Sequence, residues 1–439
     1  MQGSLIRNAR LAWLALMLAA WVVPAQAAAP QPEVVLRTWY RMVLELVRHT
    51  PTYSPPVASR AFAYFGVTAF EATASGTDKL VSLAGQLHDL QPVPAREAGA
   101  TYDEAVVIQS AMAASAKNFF LNTGPTGQRA MAALEKTLRA DAAEGVAADV
   151  VARSQAHGEA IAAHILEWSR DDGGAEVENM GFPREYTLKP GPGHWVPTSL
   201  VRQQQVPLLP EWGNVRTFAT PNGATCPLPP PPAYSEETDS QFYKEAFEVY
   251  EAVNNLDPDQ RAIARFWSDD PMLSPTPPGH WISIAMQILD HEEATLNRNV
   301  DVMARLGITV ADSFIGCWHA KYIYDLVRPV TYIKRQIDKK WETLLITPPF
   351  PEYPSGHSTQ SGAAAVVLTD FFGENYAFED RTHEADGLIP RKFPSFWAAA
   401  EEAGISRLYG GIHYRAAIIE GLQQGRCIGA YTNALKTRR

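Results

Sequence analysis

Three short stretches in the C-terminal half carry residues suited to holding a tetrahedral or trigonal-bipyramidal oxyanion. The first, Lys321-Tyr-Ile-Tyr-Asp-Leu-Val-Arg328-Pro329, brings two cations. A spacing of seven is about two helical turns, which predicts Lys321 and Arg328 on one helical face with Pro329 helping to stop the helix there. The second, Pro354-Ser355-Gly356-His357, directly precedes a small-residue helical stretch from Ser358 to Phe372. A Ser hydroxyl, a Gly amide without a side chain and the first N–H groups of a helix make an anion site, with the helix dipole adding to it. The third, Ser406-Arg407-Leu-Tyr-Gly-Gly-Ile-His413, sets a guanidinium fork and a second imidazole on either side of a glycine pair. The fork matches oxyanion geometry, and a neutral His offers a nucleophilic or metal-binding nitrogen. Each stretch alone is weak: two cations on one face usually mark a solvated surface, and a lone His is more often structural. Their joint occurrence in this order carries the argument.

K-x6-R-P, then P-S-G-H, then S-R-x5-H resembles the signature shared by vanadium haloperoxidases, bacterial acid phosphatases and type-2 phosphatidic acid phosphatases. The resemblance implies that Lys321, Arg328, Ser355, the Gly356 amide and Arg407 bind the equatorial oxygens. It implies that His357 is the acid/base and also contacts the bound oxyanion, that His413 bonds the central vanadium or phosphorus, and that in a haloperoxidase Lys321 is also catalytic, polarising the bound peroxide. The implied cofactor is vanadate, with phosphate in the same place for a phosphatase. Trp267-Ser-Asp-Asp270, Thr276-Pro-Pro-Gly-His-Trp281, Gly193-His-Trp195-Val-Pro-Thr198 and Thr50-Pro-Thr-Tyr-Ser-Pro-Pro56 are similar to segments of soluble bacterial haloperoxidase-like proteins. The similarity makes Asp270 a candidate partner for Arg407, and Phe350 a candidate for the aromatic wall on the halide side. Phe350 also reads as a core aromatic beside a proline-rich turn. His280 and the cluster His291-Glu292-Glu293 invite a metal-site reading, although the spacing fits no standard ligand pattern.

One position departs from the superfamily pattern, which continues with an acid four residues after the second His; here Ala417 stands there. Either another acceptor, such as a backbone carbonyl, fixes the tautomer of His413, or the imidazole is less activated. Two reactions fit the residues: halide oxidation with hydrogen peroxide on a vanadate cofactor, or hydrolysis of phosphate monoesters through a phosphohistidine. A catalytically silent oxyanion binder is the third reading.

These motifs need helices to position them. Most of the chain has helical periodicity: Val151, Ser154, Gly158, Ile161, Ile165 and Trp168 share one face. Thr126 is a candidate cap for a helix burying Met131, Leu134 and Leu138, and Phe242, Ala246, Val249, Tyr250 and Val253 mark another amphipathic helix. No run alternates as a strand does. The stretch from Asp171 to about Tyr234 is dense in Pro and Gly and reads as a long connection. The expected fold is all-α, two packed helical-bundle halves of the vanadium chloroperoxidase and acid phosphatase type: residues 28–234 and residues 235–439, the latter carrying the site.

Arg7 and Arg10, an apolar run from Leu11 to Val23 and Pro24-Ala25-Gln26-Ala27 read as a cleavable secretory signal over residues 1–27. The expected location is periplasmic or secreted, with no membrane span once the signal is cleaved. The formal net charge of −10 disfavours nucleic acid as a partner and leaves small molecules as substrates. Cys226, Cys317 and Cys427 permit at most one disulfide and form no zinc pattern.

Overall fold

A computed structural model of the protein describes residues 29–175, 182–183 and 185–439, so the expected signal segment lies outside the described residues. The chain is built from helices: α1 (Pro32–Arg48), α2 (Pro55–Ala74), α3 (Glu104–Phe119), α4 (Gly124–Ala143) and α5 (Ala148–Ser169), then an irregular connection. After it follow α6 (Gln241–Asn254), α7 (Pro258–Phe266), α8 (Thr276–His291), α9 (Leu296–Tyr324), α10 (Pro329–Gln336) and α11 (Gly356–Phe372). A hairpin of β1 (Phe378–Asp380) and β2 (Arg391–Phe393) precedes α12 (Phe396–Tyr409) and α13 (Arg415–Asn433). The strands, three residues each, are too short to leave a period-two pattern, which is why the sequence shows none.

Local chemistry sets the helix ends. Asp257 and Gln260 close both halves of a capping box at α7, and Asp103 accepts the Val106 N–H at α3. The start of α4 differs from expectation: its N-cap is Thr123, three residues before Thr126, because Pro125 suits the first helical turn. Met131 and Leu138 are buried on that helix as the periodicity requires, while Leu134 is half-buried.

α2, apolar or small over most of its surface, and α9, which also buries Asp301, Arg305, Asp312 and Lys321, are buried along most of their length, as central helices are. The largest core cluster runs from Val35 to Ala403 and so draws on both sides of the irregular connection. The connection is tied down by Asp312 of α9, whose carboxylate accepts the N–H groups of Phe218, Ala219 and Thr220 at 2.7–2.8 Å. A second tie joins it to the segment after α9: Trp195 N–H donates to Asp325 O at 2.8 Å and Val327 N–H to Gly193 O at 2.9 Å.

α11 and α13 pack backbone to backbone through small residues. A Cβ on Gly425 would lie 2.1 Å from Thr359 O, and one on Gly362 would lie 2.6 Å from Leu422 O. This close approach sets where the N-terminus of α11 sits. Gly425→Ala should cost stability by overpacking, about 1–3 kcal/mol, read as a lower denaturation midpoint; an unchanged midpoint would mean that the helices separate freely.

Candidate active site

The three motifs meet around a cavity of about 510 Å³ lined by Phe350, Gly356, His357, Arg407 and His413, and also by Asp269 and Asp270. Lys321, Arg328 and Ser355 stand behind this lining, each wholly buried.

Lys321 and Arg328 do not share a helical face. α9 ends at Tyr324, and Asp325 takes a left-handed conformation, φ 50°, as its cap. Arg328 is the N-cap of α10, with Pro329 starting that helix. Proline suits a first turn, so the helix break falls before it and Pro329 restarts the helix, the reverse of the stop expected from it. The two cations converge because the segment folds back across the loop Phe350–Pro354. Lys321 donates to the carbonyls of Pro351 and Glu352 at 2.9 Å and to that of Pro354. Arg328 donates through Nε to Phe350 O and through Nη1 to Ile412 O, both at 2.9 Å. The Phe350 ring lies 5.2 Å from the Lys321 ammonium and 5.0 Å from the Arg328 guanidinium, so it covers both cations while lining the cavity.

Ser355 is the N-cap of α11, accepting the Ser358 N–H. Gly356 opens that helix, and a Cβ there would meet nothing closer than 3.7 Å. The glycine is therefore not demanded by protein packing; it leaves room at the helix N-terminus. On α12, Arg407 donates from Nη1 to Trp267 O at 2.7 Å. Asp270, the candidate partner, makes no hydrogen bond or ion pair with it among the described contacts; it is half-buried and acts on the guanidinium as a nearby negative charge. The loop's backbone carbonyl takes the fork instead. The chain after α12 turns at Gly411, φ 79°, and delivers His413.

Burial governs the electrostatics. It lowers Lys321 to about 8 and Arg328 and Arg407 to about 10. Burial, reinforced by Arg328 and Lys321, holds His413 well below its usual range, so the ring is neutral. Burial with Arg407 likewise brings His357 to about 4. Arg328 Nη2, Arg407 Nε and His357 Nε2 are buried without any protein partner. Leaving buried charged donors unsatisfied is costly. An anion with several oxygens would satisfy the two guanidinium nitrogens, each charge-assisted bond contributing about 1.5–3 kcal/mol, whereas His357 Nε2 faces Asp269.

The acid missing at Ala417 is supplied from elsewhere. Glu352 Oε1 lies 2.8 Å from His413 Nδ1 and accepts the Tyr414 N–H at 2.9 Å. Arg328 Nη1 lies 3.3 Å from His413 Nε2, and a guanidinium only donates, so Nε2 holds the lone pair and Nδ1 the proton. Burial lifts the Glu352 carboxyl to about 8 against the pull of Arg328. No local pattern announces this pairing, since the contact spans 61 positions; the one signal is an acid inside an otherwise apolar and proline-rich loop. Among the described residues, the groups close enough to His280 to share an ion with it are Asp269 and His383, not His291-Glu292-Glu293. His291, Glu292 and Glu293 are exposed at the end of α8, whereas His280 is buried beside Asp269, Asp380 and His383.

Residues 301–438 match the family described as the VCPO second helical-bundle domain. The vanadium chloroperoxidase of Curvularia inaequalis is 24% identical over 255 residues, a match covering 42% of each chain. The crystal structure of the first bacterial vanadium-dependent iodoperoxidase is 38% identical with a TM-score of 0.85, covering 93% of this chain and 97% of that one. A holo-type bacterial vanadium-dependent chloroperoxidase shares the fold at 16% identity and a TM-score of 0.68, covering 92% of this chain and 95% of that one. The chain belongs to the vanadium-dependent haloperoxidase family, a family of enzymes.

Replacing the acid that orients His413 tests this geometry. Glu352→Leu should weaken phosphate or vanadate binding about 10- to 100-fold, the usual effect of removing a carboxylate behind a metal-binding imidazole. Calorimetric titration with orthovanadate gives the measurement; wild-type affinity would show that Glu352 does not orient the ring.

Proposed function

We propose that this chain binds vanadate in the cavity and oxidises halide with hydrogen peroxide, iodide being the halide favoured by its relationship to the iodoperoxidase. The observation that carries the reading is the pair of buried guanidinium nitrogens without a protein partner, set beside a neutral His413 whose Nε2 holds a lone pair. Vanadate, when bound, supplies a Lewis-acidic centre that activates hydrogen peroxide for oxygen transfer.

The residues divide the remaining work. His413 offers Nε2 to the central atom, with Glu352 holding its tautomer. Arg328 and Arg407 neutralise the oxygens, and the Gly356 amide at the start of α11 adds a donor along the helix dipole. Lys321 holds the loop Pro351–Pro354 by its carbonyls and adds positive potential from behind it. His357, neutral at pH 7 because burial lowers it to about 4, accepts a proton from incoming peroxide. Phe350 and Trp318, their rings 4.8 Å apart, give an apolar wall on which a soft halide approaches with little competition from water.

The reading places the protein outside the cytoplasm. The N-terminal signal pattern supports this, as does the Cys226–Cys427 disulfide, a bond that persists in oxidising compartments. No helix among the described residues is long and apolar enough to cross a membrane.

The decisive variant is His413→Ala. It removes the nitrogen offered to vanadium and leaves the guanidinium groups, so vanadate binding should weaken without vanishing while iodide oxidation collapses. The same preparations, assayed without vanadate on an aryl phosphate, should turn over nothing. Full iodide oxidation by His413→Ala, or phosphate hydrolysis by the wild type through a phosphohistidine, would each contradict the proposal.

A further inference from the structure

Beside the cavity lies a buried array of titratable groups that the roles above do not use. Asp269 sits in the loop after α7, 3% exposed, with φ 49°, a backbone conformation that residues other than glycine rarely adopt. His280 Nδ1, on α8, lies 2.9 and 3.0 Å from its two oxygens. His383 Nε2, between β1 and β2, lies 3.1 Å from Oδ1. The far nitrogen of His280 meets Asp380 Oδ2 at 2.7 Å, and Asp380 Oδ1 in turn accepts the Thr382 N–H.

His280 has a carboxylate at each nitrogen and is stacked on Trp267, ring centroids 4.4 Å apart. Both nitrogens therefore carry protons. Although burial opposes the charge, Asp269 and Asp380 lift the imidazolium to about 10. Asp269 is thus gripped from one side by His280 and His383. Its remaining approach, through Oδ2, faces His357 Nε2 at 3.7 Å. That nitrogen is buried with no other partner, while the 12% of the His357 side chain that stays accessible faces the cavity it lines.

We propose that Asp269 is the positioning acid of His357: held by His280 and His383, it accepts the Nε2 proton and leaves Nδ1 as the nitrogen presented to the bound oxyanion. The proposal rests on the reading of the cavity as an oxyanion site, and makes the Asp380–His280–Asp269 array an extension of its acid/base chemistry. The charged groups acting on His357 come from three directions, Asp269 from the loop after α7, His280 from α8 and Arg407 from α12, and His413 lines the same cavity. Of these, Asp269 lies nearest the unpartnered nitrogen and attracts a proton to it.

The test reads the tautomer directly, in protein free of vanadate and phosphate. Histidines are labelled with ¹⁵N, and the His357 signals are identified by their loss in His357→Gln. At pH 7 the wild type should show a proton on Nε2 and none on Nδ1. Asp269→Asn suits the left-handed backbone and should keep its amide oxygen on His280 and His383, turning its NH₂ toward His357. The tautomer should then switch to Nδ1–H.

In vanadate-loaded enzyme the same variant should move the acid limb of the iodide-oxidation profile. Removing a neighbouring carboxylate lowers the proton affinity of an imidazole, so the limb should shift to lower pH by about one unit or more. A wild-type ring protonated at Nδ1 overturns the proposal without any variant, and so does an Asp269→Asn protein that keeps Nε2–H. A stoichiometric divalent cation in the purified protein, lost in His383→Gln, would make the cluster a metal site and overturn it as well. None of the spectroscopic outcomes depends on vanadate, so failure here is distinct from failure of the haloperoxidase reading.

Discussion

Burying guanidinium groups without a full set of partners is the constraint on which the rest of the structure depends. Arg328 is wholly buried and Arg407 3% exposed, yet each keeps a nitrogen free of any protein acceptor. Such groups are costly in a folded interior, and carbonyls that take part of their hydrogen bonding together with an anion that takes the rest would offset the cost. The loop Phe350–Pro354 meets the first requirement. Its carbonyls receive Lys321 and Arg328, and its one acid, Glu352, reaches His413. The cavity before Arg407 and His413 meets the second.

The helices convert that local requirement into a fixed geometry. The left-handed cap at Asp325 turns the chain out of α9 early enough for Arg328 to come back over the loop. Gly362 and Gly425 draw α11 against α13, so the N-terminus of α11 and the turn before α13 are held relative to each other. His413 and Gly356 thereby face one cavity from separate elements. The irregular connection, pinned by Asp312 and by the bridge to Asp325 and Val327, closes over the back of the same segment. A long loop of this kind is affordable because its backbone donors are satisfied by a buried carboxylate.

Much of the fold could be read from the residues, for a physical reason: helical periodicity is local. The faces of α5 and α6 fall where Ser154, Ile161, Phe242 and Val249 place them. The motif residues were legible because their chemistry is unusual in combination. What was not legible depends on contacts far apart in sequence. The spacing of Lys321 and Arg328 suggested one helix, but a left-handed residue between them makes the convergence tertiary. Glu352 replaces an acid normally four residues from His413, and no local pattern announces it. At Trp267-Ser-Asp-Asp270 the sequence offers two adjacent acids. The structure sends Asp269 inward to three imidazoles and leaves Asp270 half-buried, acting on Arg407 at a distance.

The most direct test of the account is the crystal structure of protein soaked in orthovanadate, with the metal located by its anomalous scattering. The account predicts one vanadium within bonding distance of His413 Nε2, its oxygens taken by Arg328 Nη2, Arg407 Nε and the Gly356 amide, and Glu352 still on Nδ1. Vanadium bound elsewhere, or held in the cavity with those two guanidinium nitrogens still unpaired, would contradict it.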